Sequence, residues 1–126
     1  MYTTEFDRLQ RLVKITVAGE TITEEVSTAV ENLRTLLTDV QPGFRLLADL
    51  RALVSMPIDA ARYLGEIMEV CGEKGVALVV RLLPADPSKD IGLAIISQFH
   101  YPPDVEILTC ETMEEAMRLL EEKAEP

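Results

Sequence analysis

The chain has no tryptophan, a single histidine, two cysteines and six glycines, and each scarcity removes a class of explanation. One histidine, His100, cannot build a histidine-rich metal centre, which needs several converging nitrogen, sulfur or carboxylate ligands. Cys71 and Cys110 lie far apart and fit neither a zinc nor a dithiol redox spacing. Both read as small reduced residues in or beside the core. The glycines do not gather between a strand and a helix. The turns Ala18-Gly19-Glu20, Ala52 to Pro57 and Pro84 to Ser88 therefore match no phosphate-wrapping loop, and no nucleotide cofactor is expected. The longest apolar run, from Val76 through Val80 and past Arg81, is far short of the ~20 residues a membrane helix needs. Positive charge is scarce too: 12 basic residues against 22 acidic ones leave a net charge of -10. An anionic surface repels phosphate backbones and anionic headgroups, which disfavours nucleic acid and membranes as partners, and it serves solubility. The opening Met1 to Glu5 show no basic segment followed by an apolar one, so a cytoplasmic location is expected.

What is present is patterning. A length of 126 residues with 48% hydrophobic content suits one domain, 1–126, with one core. Tyr2 to Asp7 and Leu12 to Val17 read as a hairpin turning near Leu9-Gln10-Arg11, since Val13, Ile15 and Val17 alternate with Lys14 and Thr16. Thr21-Ile22-Thr23-Glu24 offers a hydroxyl cap and acidic first turn for a helix whose stripe is Val26, Ala29, Val30, Leu33 and Leu37. After the turn Gln41-Pro42-Gly43, Phe44 to Leu50 alternates as a strand. A loop from Ala52 to Pro57 leads to a helix over Ile58 to Glu73. Val76 to Leu83 is a continuous apolar strand of the parallel, central kind. Lys89 to Phe99 predicts a third helix and Val105 to Leu108 a last strand. Thr112-Met113-Glu114-Glu115 is a capping box for a final helix striped by Met113, Ala116, Met117 and Leu120. Strands alternating with helices imply a mixed, mainly parallel α/β sheet of four to five strands with right-handed crossovers, four helices mostly on one face, and a hairpin at the start.

Candidate chemistry gathers where open α/β sheets place their sites, beyond the C-terminal ends of the strands. Asp49 and Arg51 end one strand, and Asp86 follows the next. Ser55, Asp59 and Arg62 complete a set able to line that rim for a ligand or partner; an Asp–Arg pair with a capped helix start accounts for the same residues without a ligand and is the favoured reading. A Ser55, His100, Asp49 triad can be drawn, but no nucleophile-elbow pattern surrounds Ser55. His100 reads as a surface or helix-terminal residue.

The stretch Gly43-Phe44-Arg45-Leu46-Leu47-Ala48-Asp49-Leu50-Arg51, its following helix and Gly75-Val76-Ala77-Leu78-Val79-Val80 resemble the STAS superfamily of anti-sigma-factor antagonists and transporter domains. Val105-Glu106-Ile107-Leu108 with Thr112-Met113-Glu114-Glu115-Ala116, and Leu12 to Val17 with Gly19-Glu20, are similar to its last and first elements. The resemblance implies a non-enzymatic module that binds protein partners. Regulatory members carry an Asp-Ser-Ser-Gly-like turn whose hydroxyl accepts phosphate. Here the turn reads Asp59-Ala60-Ala61-Arg62, so that chemistry is missing at those positions, which places the chain nearer the small uncharacterised relatives.

The leading expectation is thus a protein-interaction or regulatory module without catalytic residues, cofactor or metal. The alternative is a small-ligand or lipid-binding domain using the loops after the strands ending at Arg51 and Leu83. An enzyme using Asp49, Arg51 and Ser55 ranks last. Self-association is also expected: Leu47 and Val79, with Arg45 and Arg81, are placed on a sheet face that a second subunit or a helix must cover.

Overall fold

The computed structural model describes residues 2–20, 22–55, 60–82, 101–102 and 104–122. Seven strands are formed among them: β1 (Tyr2–Asp7), β2 (Leu12–Val17), β3 (Gly19–Glu20), β4 (Arg45–Asp49), β5 (Leu53–Ser55), β6 (Leu78–Leu82) and β7 (Glu106–Cys110). Three α-helices accompany them: α1 (Thr23–Leu36), extended by a 3-10 turn over Leu37–Asp39, α2 (Ala60–Glu73) and α3 (Met113–Glu122). The helix expected over Lys89 to Phe99 lies outside the described residues, as does the Ile58 start expected for α2.

Five strands make the main sheet in the order β1-β2-β4-β6-β7. β1 runs antiparallel to β2 as the expected hairpin, and every later pairing is parallel. The register defines two faces, because residues directly opposite each other in paired strands point the same way. Val13, Leu46, Val79 and Ile107 form one row. Lys14, Leu47, Val80 and Leu108 form the next, on the other side.

The first face packs under α1 and α2. Val13, Ile15, Val17, Leu46 and Val79 join Val26, Val30 and Leu33 of α1 and Leu64, Ile67 and Met68 of α2 in one buried cluster, with Phe44 wholly enclosed. Tyr101 is buried in the same cluster. The second face packs under α3, whose Ala116 and Leu120 meet Leu12, Leu47, Leu78, Val80, Leu82 and Cys110. Both cysteines are free and buried. Burial pushes the Cys71 thiol up to about 12, so it stays a protonated apolar filler at neutral pH.

This arrangement corrects the surface expected for self-association. Leu47 pairs with Val80, and Val79 pairs with Leu46. Leu47 and Val79 therefore lie on opposite faces, and each is buried within the chain. Arg81 follows Val79's phase into the α2 side, opposite Ala48. Arg45 donates to the carbonyls of Leu120 and Gln10, tying the end of α3 to the hairpin turn instead of reaching across a subunit boundary. The physical reason is that β6 is buried at all five positions: a strand apolar on both sides carries no alternation from which its phase can be read.

Helix starts divide the same way. The Thr112 hydroxyl accepts the Glu115 N–H at 3.1 Å, as the capping box requires. At α1 the capping position is Ile22, with no side-chain bond, so the expected hydroxyl cap is not used; Glu24 and Glu25 supply the acidic first turn.

Candidate functional site

The sequence-predicted rim residues separate into three places. Asp49 ends β4 on the α3 side of the sheet, and the chain turns at once so that Arg51 folds back onto it. Arg51 Nε donates to Asp49 Oδ1 at 3.0 Å and Nη2 donates to Oδ2 at 2.9 Å. The Arg51 backbone N–H adds a third donor at 3.2 Å. This two-pronged pairing satisfies both charges without a ligand. The hydrogen bond from Arg51 holds the Asp49 carboxyl below its ordinary range. Arg62 is elsewhere, exposed on α2, with its guanidinium 4.8 Å from the Tyr63 ring centroid and an N–H donated to the Tyr63 hydroxyl at 2.9 Å. Ser55 closes β5. Asp59 and Asp86 lie outside the described residues, as does His100.

The depressed carboxyl fixes a pH signature. Its folded-state pKa is lower than its unfolded one, so the stabilisation is present above the ordinary carboxylate range and is lost as pH falls through the folded value. Because Arg51 is 43% exposed, the pair contributes less than about 1 kcal/mol. Asp49→Asn should therefore lower thermal stability slightly at pH 7 and converge on the wild type once the pH falls below the folded-state value. Calorimetry across that range checks it; a gap that persists in acid would mean the carboxylate acts through something other than its charge.

What the sequence did not reveal is a small second sheet at this rim. β3 and β5 pair in parallel, with Gly19 opposite Leu53 and Glu20 opposite Ser55. One strand advances by two residues while the other advances by one, so Val54 is an extra residue in a bulge. Gly19 makes the approach possible: its φ is +69°, where a side chain is disfavoured, and its N–H donates to the Ala52 carbonyl at 2.7 Å. The bulge turns Leu53 inward, buried, and sends Val54 outward, 60% exposed. Ile22, two residues beyond β3, is 53% exposed. Two β-branched apolar side chains, one within the ledge and one two residues beyond it in sequence, are thus exposed.

A different feature lies under α2. One row of the α2-side face runs Thr4, Ile15, Ala48, Arg81, Thr109, far more polar and smaller than its neighbours. Arg81 is only 8% exposed there, and its Nη2 donates to Thr109 Oγ1 at 3.0 Å. Beside it a narrow slot of only about 50 Å³ is lined by Ala48, Leu64, Met68, Val79, Tyr2 and Tyr101 among others. Burial raises both tyrosine hydroxyls far above their usual pKa, keeping them neutral.

Among the described residues no cluster of histidine, cysteine and carboxylates converges as a metal site, and no helix is long and apolar enough to cross a membrane. No family model matches the chain, and no curated protein is similar to it in sequence. Solved structures do share its fold. An uncharacterized protein of the DUF3478 family with a SpoIIAA-like fold, from Shewanella loihica, superposes with a TM-score of 0.70 at 16% identity, over 95% of this chain and 92% of its own. An anti-sigma factor antagonist from Mycobacterium paratuberculosis gives 0.60 at 16% identity, over 96% and 93%. The chain has the SpoIIAA-like, STAS-type α/β fold.

Proposed function

We propose that the chain is a non-enzymatic protein-interaction module that docks a partner on the β3–β5 ledge. The observation that carries this reading is the bulge that exposes Val54, with Ile22, two residues past β3, exposed as well. A bulge that re-aims an apolar side chain into solvent costs apolar burial, and exposed apolar pairs rimmed by charge are how binding surfaces are built. Arg51 and Asp49 supply the polar rim. The likeness to an anti-sigma factor antagonist, a protein whose name places its action on another protein, supports the same reading. A phosphate switch is not part of it, because the α2 start offers Ala60 and Ala61 in place of a hydroxyl. The excess of acidic residues argues against nucleic acid as the partner, and two buried free thiols suit a reducing, cytoplasmic setting.

The test is site-specific photocrosslinking in the native cell. A photoreactive residue at Val54 should give one discrete heavier adduct, absent when Ile22→Glu is added, whereas the same group at the hairpin tip, Leu9, should give none. Equal, diffuse labelling from both positions would overturn the proposal. Val54→Glu itself should leave stability within ~0.5 kcal/mol of wild type, since the side chain is already in water.

A further inference from the structure

With α1 and α2 on one sheet face and α3 on the other, both faces are occupied by this chain's own helices, and association with a second copy is left to the edges. The two outer strands are β1 and β7. Among the described residues no strand pairs with the outer edge of β1. Sheet edges are normally blunted by proline, lysine, a bulge or a very short strand. β1, Tyr-Thr-Thr-Glu-Phe-Asp, has six residues, pairs with β2 in unbroken register and contains neither proline nor lysine.

We propose that two copies associate by antiparallel pairing of their β1 strands about a two-fold axis at Thr4, joining two sheets into one of ten strands. The register follows from charge and side-chain type. Centring on Thr4 sets Thr4 against Thr4, Tyr2 against Phe6 twice, and Thr3 against Glu5 twice. Aromatic and threonine cross-strand pairs are favourable, and no carboxylate meets another. Centring one residue later sets Glu5 against Glu5, which is unfavourable. The face pattern agrees, since Tyr2, Thr4 and Phe6 lie opposite Val17, Ile15 and Val13 of β2 and so all turn to the α1 side.

The flanking helix adds to the match. A two-fold axis perpendicular to the sheet makes α1 and its mate antiparallel, so the acidic first turn, Glu24 and Glu25, runs toward the partner's last turn with Arg34. A groove of about 400 Å³ between β1 and α1, lined by Thr3, Thr4, Glu25, Thr28 and Asn32, gives the incoming strand its seat. The other edge matches poorly: the same operation on β7 about Leu108 sets Glu106 against Cys110 and Ile107 against Thr109.

Sedimentation of the full chain at tens of micromolar decides the matter. A particle of twice the 14.0 kDa chain mass is expected, and Thr4→Lys, which opposes two ammonium groups at the axis, should weaken association at least tenfold while circular dichroism shows the fold intact. If that variant does not fold, cross-linking decides instead. Directly opposed residues of antiparallel strands lie about 4.5–5.5 Å apart at Cα, within disulfide reach, so Thr4→Cys should form a covalent dimer on mild oxidation. Leu9→Cys, at the fully exposed hairpin tip, should form no covalent dimer under the same conditions. A monomeric wild type overturns the proposal, and so does a dimer in which Thr4→Cys fails to cross-link.

Discussion

Val79→Glu is expected to unfold the protein. Val79 is 1% exposed, in β6 between β4 and β7 and beneath the helices of the first face. A carboxyl group there must either ionise in apolar surroundings or remain protonated at a strongly raised pKa. Either course costs roughly 4 kcal/mol or more, to which lost packing is added. Native stability for a domain of this size is only about 5–15 kcal/mol, so most of it is consumed. The expected result is loss of the cooperative thermal transition, or a transition lowered by more than ~15 °C. The contrast with Val54→Glu, the same substitution at an exposed position, makes the measurement specific to burial. A Val79→Glu protein with wild-type melting behaviour would mean that this residue is not in the core.

Gly75→Ala is expected to have the second largest effect. The glycine lies within the α2-to-β6 connection with φ at +88°, and its carbonyl accepts the Gly43 N–H at 2.7 Å, tying two turns together. An added Cβ would stand 2.7 Å from Pro42 Cβ and 3.0 Å from Pro42 Cα. Backbone strain contributes about 1–2 kcal/mol, and the overlap raises the total to roughly 2–4 kcal/mol. Gly19→Ala serves as the control, because φ there is +69° but nothing lies within 4 Å of the new carbon. Denaturant titration of both variants should show Gly75→Ala losing at least twice as much. Equal losses would leave conformational strain as the whole cost and remove the clash with Pro42.

The hairpin, both long helices and the parallel order could be read from periodicity because each has one wet side. Val13, Ile15 and Val17 alternate with Lys14 and Thr16, and the α2 stripe recurs at helical spacing. β6 has no wet side, so its pattern leaves the phase open, and the face expected for Val79 and Arg81 differs by one residue from the one the register gives. The stripe on α3 was equally plain, yet nothing local tells a helix which face of a sheet it will cover. At the rim, the Asp49–Arg51 pairing was readable because two residues at a strand end return to the same side. The β3–β5 ledge was not, since Gly19-Glu20 and Leu53-Val54-Ser55 are too short to show a period and a bulge breaks whatever period exists. Gly19 was the one available signal, being a residue suited to the positive φ that the close approach demands.

The position of α3 at the end of the described chain has a consequence for biosynthesis. Strands β2, β4, β6 and β7 stand side by side in the order they are made, so the α1–α2 face acquires its cover as the ribosome proceeds. The opposite face, among the described residues, is covered by α3. Leu12, Leu47, Leu78, Val80 and Leu82 await Ala116 and Leu120, which are made more than thirty residues after the last of those strand positions. At typical elongation speeds of about 5–20 residues per second, that is an interval of seconds during which a nascent sheet presents an apolar surface. Chaperone engagement should therefore concentrate after β6 has left the exit tunnel and end when α3 does, and ribosome-bound chains arrested in that interval should be the form most prone to aggregate.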